Sequence, residues 1–184
     1  MTPEIKTDVP SLNLRFLNEE DAEELFLRID QNREHLRRWM PWLDGAKGPS
    51  DQLKFIQRCS EGAVAGRAFH YAILSSCEIV GMVGFNGIEK ANRCGTIGYW
   101  LAESHTGRGL MTSVVKAFIS EGFQQLELNR IQARVATGNY PSQAVCDRAG
   151  LKREGVLRQA EWLYDHYVDH TMNSVLRTEW QMSR

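Results

Sequence analysis

The chain has 184 residues, of which 42% are hydrophobic, 24% charged and 9% aromatic. A chain of this length typically forms one domain, and the composition excludes disordered, collagen-like and coiled-coil classes. Its 22 basic and 23 acidic side chains leave a formal net charge of −1, which provides no bulk attraction for nucleic acid or an anionic membrane. We therefore expect a single domain over residues 1–184 that binds neither.

The sequence carries no targeting segment and no metal-binding cysteine pattern. No run approaches the roughly 18 uninterrupted apolar residues of a membrane-spanning helix, and the first residues lack the apolar core of a signal peptide. The four cysteines, at positions 59, 77, 94 and 146, show neither a CxxC pair nor metal-ligand spacing. We therefore expect a cytoplasmic protein with reduced thiols, no metal and no membrane association.

The first half of the chain is predicted to form a strand, three helices and a three-stranded antiparallel meander. Ala22, Leu25 and Ile29 recur at helical spacing and give one buried stripe. Asn18 and Ser50 are residues of the type that caps a helix start. The expected strands are 12–17, 69–74, 79–88 and 94–101, and the expected helices run from Asn18 to about 31, over 33–39 and over 51–61.

The second half is predicted to continue as helix, strand, helix and two strands. Apolar spacing indicates a helix over 109–126, a strand over 131–135 and a short helix over 142–149 that Gly150 closes. Strands at about 152–162 and 167–176 end the pattern. Helices and strands mix without strict alternation, so we expect an α/β (α+β) domain with a mixed sheet of about seven strands flanked by helices.

The strongest chemical signal is a strand that leads through a glycine-bearing turn into a helix. Gly98-Tyr99-Trp100-Leu101 is followed by Thr106-Gly107-Arg108-Gly109-Leu110-Met111-Thr112. Free N–H groups at a helix start bind phosphate, and glycines let its oxygens approach the main chain. The spacing matches neither the GxGxxG nor the GxxxxGKS/T pattern. It therefore indicates another kind of anion site, or a turn that only requires small residues.

Motifs along almost the whole chain resemble those of the GNAT N-acetyltransferase superfamily. They are the two segments above together with Leu128-Asn129-Arg130-Ile131, Thr137-Gly138-Asn139-Tyr140-Pro141-Ser142 and Gly150-Leu151-Lys152-Arg153-Glu154-Gly155. Trp39-Met40-Pro41-Trp42 and Gln159-Ala160-Glu161 resemble the branch that acetylates N-terminal amines of ribosomal proteins. The resemblance implies acetyl-CoA as the donor, and a sheet splayed open so that the pantetheine pairs with strand edges.

The resemblance also implies which residues bind the cofactor. Backbone amides of the turn would hold the pyrophosphate, with added positive charge from Arg108, while Asn139 would bond the pantetheine amide. Main-chain groups of Trp100 and Leu101 would hold the pantetheine and polarise the thioester carbonyl. The turn consists of Thr106, Gly107, Arg108, Gly109, Leu110, Met111 and Thr112. Thr106 stands where the superfamily prefers Gln or Arg, and Met111 where it prefers a small residue; we expect binding by backbone amides to persist.

Two residues are implied to handle protons. Ser142 is expected to cap its helix and, by the resemblance, to donate to the leaving thiolate. Glu161 is the expected general base, directly or through a water, in a substrate pocket that Trp162 and Trp39 or Trp42 keep dry. The alternatives are a Ser142 that only caps the helix and a Glu161 that is a solvated surface carboxylate.

Two Asp-His pairs and one cysteine offer weaker signals. Asp165-His166 and Asp169-His170 place histidines four residues apart, which on a helix indicates a metal site. The alternation around them favours a strand and a polar hairpin instead. Cys146 is expected to face the core, because direct transfer needs no covalent intermediate.

The expected activity is acetyl-CoA-dependent N-acetylation of a primary amine by direct transfer in a ternary complex. At pH 7 a lysine side chain is only about 0.04% deprotonated and an α-amino group roughly 10–20%, which favours a protein N-terminus, and the branch indicates a ribosomal protein. A small-molecule amine is the second interpretation, and a non-catalytic CoA-binding sensor or interaction module is the third. The resemblance further implies a homodimer paired through late strands.

Overall fold

The structure, a computed structural model, describes residues 1–182 and centres on one sheet of eight strands. The strands are β1 (Glu4–Lys6), β2 (Leu12–Phe16), β3 (Phe69–Ser75), β4 (Glu78–Glu89), β5 (Cys94–Leu101), β6 (Arg130–Ala136), β7 (Lys152–Leu163) and β8 (His166–Leu176). Their spatial order is β1-β2-β3-β4-β5-β6-β8-β7, and neighbours are antiparallel except β5 and β6, which run parallel. This mixed sheet confirms the predicted fold class, with one strand more than expected.

Six α-helices accompany the sheet within residues 1–182. They are α1 (Ala22–Asp30), α2 (Arg33–Arg37), α3 (Pro49–Val64), α4 (Leu110–Gln125), α5 (Tyr140–Arg148) and α6 (Arg177–Met182). Single 3-10 turns lie at Glu19–Asp21, Leu43–Gly45 and Glu103–His105. In this part of the chain, no helix combines the length and the apolarity that crossing a bilayer requires.

The structure adds two short elements to the predicted ones and corrects one helix start. β1 has three residues, of which only Ile5 is buried, and α6 has six residues, none of them buried, so no periodicity marks either one. The prediction that Ser50 caps the third helix is wrong. α3 begins at Pro49 after Gly48, because the fixed φ and missing N–H of proline suit the first helical position.

Each face of the sheet carries a hydrophobic core. On one face, α4 and α5 pack against the strands, and the ring of Phe118 on α4 contacts those of Tyr71 and Phe85. On the other face, α1 and α3 contribute Leu25 and Ile56 to a second core. Its buried strand residues come from β3, β4 and β5 among the described residues. The helices of that face therefore cover the middle strands β3, β4 and β5.

β5 and β6 pair only over their first halves, and this opens the sheet. Their parallel register ends at Ile97 and Ala133, after which β5 stays on β4 and β6 stays on β8. The gap between residues 98–101 and 134–136, the cleft, leaves two strand edges that no other described strand pairs. Since α4 follows β5 and α5 follows β6, both helices begin near the wide end of the cleft.

Candidate functional site

The turn between β5 and α4 exposes main-chain N–H groups. Gly107 and Gly109 are left-handed, with φ of +71° and +76°, and nothing lies within 4 Å of where a Cβ would stand. Within the described residues no side chain caps α4, and no acidic residue lies in its first turn. The first N–H groups of α4, from Leu110 to Thr112, have no acceptor within the helix. Together with the positive end of the helix dipole, they make the start of α4 a candidate anion site.

Two side chains of this turn, those of Thr106 and Met111, make structural contacts. The Thr106 hydroxyl donates to the carbonyl oxygen of Glu103 (2.7 Å), and Met111 is buried in the core beneath α4. Arg108 is exposed. The two departures from the family pattern therefore affect side chains that stabilise the turn and the core, and the main-chain N–H groups stay available.

The two residues that end β5 present different groups to the cleft. The Trp100 side chain is buried in the second core, and the Leu101 side chain is buried in the core beneath α4 and α5. The N–H of Ala102 donates to the carbonyl oxygen of Val80 on the β4 side (2.8 Å). Because main-chain groups alternate between the two edges of a strand, those of Trp100 also point toward β4 and those of Leu101 toward the cleft. Leu101, not Trp100, is thus the one of the two whose main chain could meet a ligand there.

The sequence predicts two roles for Ser142, capping its helix and donating a proton. At the start of α5, the capping role belongs to another residue. The Asn139 side chain caps α5 and accepts a hydrogen bond from the Ser142 N–H (3.2 Å). The prediction that Ser142 is the cap is therefore wrong: it is the third helical residue, whose N–H an N-cap side chain characteristically receives. Because Asn139 does the capping, the Ser142 hydroxyl is free for another partner.

That partner is Tyr99, which sequence reasoning missed. The Tyr99 hydroxyl lies 2.9 Å from Ser142 Oγ, 3.2 Å from the Ser142 carbonyl oxygen and 3.5 Å from Cys146 Sγ. Burial raises the pKa of the Tyr99 phenol well above its ordinary value, so it keeps its proton at neutral pH. Tyr99 thereby joins β5 to α5 across the cleft, and the only sequence signal for it is its place in the Gly98–Leu101 motif.

Glu161 lies near the end of the β7–β8 hairpin, beyond a local irregularity. The strand register shifts between Leu157 and Glu161, where Gln159 is left-handed (φ +49°) and its N–H donates to Asp169 Oδ1 (2.7 Å). Glu161 Oε2 lies 3.4 Å from Nε2 of His170, which is only 7% exposed. The carboxylate is thus partly sheltered beside a buried imidazole.

The three tryptophans of the expected substrate pocket do not converge. The Trp39 ring packs on Gly138, where a Cβ would lie 3.3 Å from Cη2. Trp42 is 42% exposed, and Trp162 is 52% exposed and meets the Tyr167 ring edge-on at 4.8 Å. Since successive strand residues face opposite sides of a sheet, Trp162 points away from its neighbour Glu161. Only Trp39 lies beside the loop that leads into α5.

The segment that carries Trp39 is fastened to the turn of the β7–β8 hairpin. The Tyr164 hydroxyl donates to the carbonyl oxygen of Met40. The guanidinium of Arg37 lies 3.8 Å from the centroid of the Tyr164 ring and pairs with Asp44. These contacts hold the Trp39–Trp42 segment against the turn of the β7–β8 hairpin.

In the described part of the chain, neither the histidine pair nor Cys146 has the surroundings of a metal site or a nucleophile. His166 and His170 lie on strand β8, and residues 1–182 contain no group of three His, Cys, Asp or Glu side chains that could hold a metal ion. Cys146 is fully buried, and burial raises the pKa of its thiol, which makes it a poor nucleophile.

Comparison with known proteins identifies the family to which this chain is similar. A model described as an acetyltransferase (GNAT) domain matches residues 11–152. The ribosomal-protein-serine acetyltransferase of Escherichia coli (strain K12) is 34% identical over 92% of this chain and 94% of its own length.

Two solved structures with bound ligands are similar throughout. RimL, a ribosomal alpha-N-protein acetyltransferase in complex with coenzyme A, has a TM-score of 0.90 at 28% identity, covering 94% of this chain and 97% of its own. MccE, the microcin C7 self-immunity acetyltransferase, is in complex with acetyl-CoA and AMP. Its TM-score is 0.87 at 30% identity, over 91% of this chain and 93% of its own.

The cleft fits the cofactor bound in those structures. The N–H groups at the start of α4 suit a pyrophosphate, and the strand edge at Leu101 offers hydrogen-bonding groups to a pantetheine. The anion site, the splayed strands and the family match agree. The chain therefore belongs to the GNAT acetyltransferase family, and it uses acetyl-CoA as its acetyl donor.

Proposed function

We propose that the protein acetylates the N-terminal α-amine of another protein, a ribosomal protein in the first instance, by direct transfer in a ternary complex. The observation that carries the proposal is that Glu161 lies beside His170 at the end of β6, the strand that leads into α5 and Ser142. Ser142 is six residues beyond Ala136, which pairs with His170, and His170 is beside Glu161. A proton donor and a proton acceptor are thus available on neighbouring elements, as acyl transfer to an amine requires.

The cofactor site is proposed to consist mainly of main-chain groups. The N–H groups from Arg108 to Thr112 hold the pyrophosphate, and the Arg108 guanidinium adds positive charge. The main chain of Leu101 holds the pantetheine and donates to the thioester carbonyl oxygen. Asn139 Oδ1 is engaged in capping α5, so its amide Nδ2 is the group left for the pantetheine.

The proton steps are assigned to three side chains. When bound, acetyl-CoA supplies an acetyl group activated as a thioester. Glu161 takes a proton from the acceptor nitrogen as the N–C bond forms, and Ser142 Oγ gives a proton to the sulfur as the C–S bond breaks. The proton held by Glu161 then returns through solvent to Ser142 Oγ, which restores both side chains. Tyr99, held protonated by burial, shares a hydrogen bond with Ser142 Oγ and keeps that hydroxyl in place.

An α-amine is the preferred acceptor because more of it is neutral. Roughly 10–20% of an α-amino group is unprotonated at pH 7, against about 0.04% of a lysine side chain. The similarity to a ribosomal-protein-serine acetyltransferase supports a peptide with an N-terminal serine as the first substrate to test.

Release of free thiol from acetyl-CoA tests the proposal. Peptides that begin with serine, alanine or methionine and contain an internal lysine are compared with the same peptides blocked at the N-terminus, and with polyamines and aminoglycosides. We expect turnover on free N-termini and none on blocked peptides. Turnover confined to small amines would contradict the proposed acceptor, and binding of acetyl-CoA without thiol release on any amine would indicate a non-catalytic module.

A small-molecule amine is the second candidate, and one observation favours it. MccE, which is as similar in fold as the ribosomal enzymes, is in complex with AMP as well as acetyl-CoA. If this chain acts on a nucleotide-bearing amine, AMP should compete with the acceptor. Absence of inhibition by millimolar AMP, with full turnover on peptides, would exclude that candidate.

A further inference from the structure

The buried imidazole of His170 has no role in the mechanism given above. The side chain is 7% exposed, and neither Nδ1 nor Nε2 makes a hydrogen bond within the described residues. Burying a polar group without a partner costs free energy. A buried, unpartnered imidazole on the strand next to the proposed base therefore calls for a ligand or an ionised neighbour.

Glu161 is the charged group within reach. Its Oε2 lies 3.4 Å from His170 Nε2, just beyond a good hydrogen bond, and a small rotation of the glutamate side chain closes that distance. Catalytic hydrogen bonds are often this long before substrate binds. The two residues are diagonal neighbours on one face of the hairpin, because Glu161 pairs with Val168, two residues before His170.

Strand pairing on both sides fixes the position of His170, whereas the side chain of Glu161 is held less firmly. His170 lies on β8 between β6 and β7, opposite Ala136 on one side and Leu157 on the other. Next to it, the N–H of Thr137 donates to the carbonyl oxygen of Asp169 (2.9 Å). Glu161 follows the irregular stretch of β7, and its side chain is 33% exposed. A donor on β8 would hold the carboxylate toward β8, the strand that lies between β6 and β7.

We propose that His170 is a positioning residue, whose Nε2–H donates to the Glu161 carboxylate and holds it toward the acceptor amine. The proposal rests on the proposed role of Glu161 as base. It gives the imidazole a function that acts only through Glu161, and it makes the base a Glu–His pair supported by two adjacent strands.

Two substitutions at His170 separate positioning from packing. His170→Leu removes the donor at similar volume, and we expect kcat to fall about tenfold while KM for acetyl-CoA stays within about twofold. The melting temperature should not fall, because the buried Nδ1, which has no hydrogen-bond partner within the described residues, is exchanged for an apolar group. His170→Gln retains an N–H donor and should recover most of the lost kcat.

A double-mutant cycle with Glu161→Gln tests whether His170 acts through Glu161. We expect Glu161→Gln with His170→Leu to be no slower than Glu161→Gln alone. His166→Gln is the matched control, since His166 lies exposed on the same strand, and its kcat should equal that of the wild type.

The outcomes distinguish the two proposals. Full activity of His170→Leu, with Glu161→Gln impaired, would overturn the positioning role and leave the proposed base intact. A wild-type rate for Glu161→Gln would overturn the base and the positioning role together. A lowered melting temperature in both His170 variants, with equal losses of kcat and no coupling to Glu161→Gln, would make His170 a structural residue and overturn the inference.

Discussion

The hydroxyl groups of Ser142 and Tyr99, 2.9 Å apart, form the hydrogen-bonded link between β5 and α5 at the cleft. Since Asn139 caps the helix, the serine hydroxyl adds little to helix stability, and its hydrogen bond to a protonated phenol orients it. Substitution of Ser142 should therefore affect turnover, and substitution of Asn139 should affect stability.

Ser142→Ala should lower kcat by about tenfold or more, because the leaving sulfur loses its proton donor. Its free energy of unfolding should change by no more than about 0.5 kcal/mol, because the Tyr99 hydroxyl keeps the Ser142 carbonyl oxygen as its acceptor. Asn139→Ala should instead lose about 1 kcal/mol, as removal of an N-cap typically does. Urea unfolding and steady-state rates of both variants check this, and a destabilised Ser142→Ala with full turnover would contradict it.

Glu161→Gln should lower kcat and flatten the acid limb of its pH profile. Glutamine keeps the shape of the side chain but cannot accept a proton from the amine. Acetyl-CoA affinity should not change, since the proposed cofactor groups lie on α4, β5 and α5. Rates between pH 5 and 9 with saturating acetyl-CoA measure the effect, and a wild-type profile would rule out Glu161 as the base.

At the scale of whole elements, the cofactor site depends on where the main chain turns. Gly109 precedes α4 with φ of +76°, and a residue with a Cβ in that conformation costs about 1–2 kcal/mol. Gly109→Ala meets no atom within 4 Å, so its effect is on the backbone and on access to the N–H groups. We expect a raised KM for acetyl-CoA. Gly155→Ala, also without a neighbour at its Cβ position, is the control and should leave KM unchanged.

The last strands are joined by an ion pair whose contribution depends on pH. Arg130 on β6 and Ser174 on β8 both hydrogen-bond Glu154 on β7 and lower its pKa from 4.5 to about 2. A carboxyl with a depressed pKa in the folded state stabilises it above about pH 4.5, and the contribution is lost as pH falls toward 2. The carboxylate is largely exposed, so the effect is small.

Glu154→Gln should therefore flatten the decline of unfolding free energy between about pH 4.5 and 2, and Ser174→Ala should do so in part. Urea unfolding at several pH values in this range measures both. A Glu154→Gln curve that superimposes on the wild type would contradict the assignment of the ion pair.

The helix and strand patterns predict most elements because burial repeats within each one. Leu25 and Ile29 are buried on α1 as their spacing requires. The errors arise where a property depends on contacts between elements. Trp162 is adjacent to Glu161 in sequence, yet strand alternation places it on the opposite face with Tyr167. The contact of Tyr99 with Ser142 joins residues 43 positions apart, which no local pattern contains.

At the scale of the whole molecule, the balance of charge limits how the protein can recognise an acceptor. The 22 basic and 23 acidic side chains form many local pairs, as Arg37 does with Asp44 and Arg130 with Glu154. Proteins that bind RNA neutralise phosphates with clustered basic side chains and release counterions. A protein with net charge −1 has no such excess, so a ribosomal acceptor is expected to be recognised through its N-terminal segment.

Acetylation of a free N-terminal peptide should consequently depend little on salt and should not require an assembled ribosomal particle. With acetyl-CoA held saturating, we expect kcat/KM for the peptide to change less than about threefold between 50 and 200 mM salt, whereas binding through 6–10 phosphate contacts weakens by about 10³–10⁵ over that range. The measurement compares the peptide, the isolated acceptor protein and intact particles at both salt concentrations. Faster turnover on particles together with a steep salt dependence would show that RNA takes part in recognition, because electrostatic steering of that size requires a basic surface.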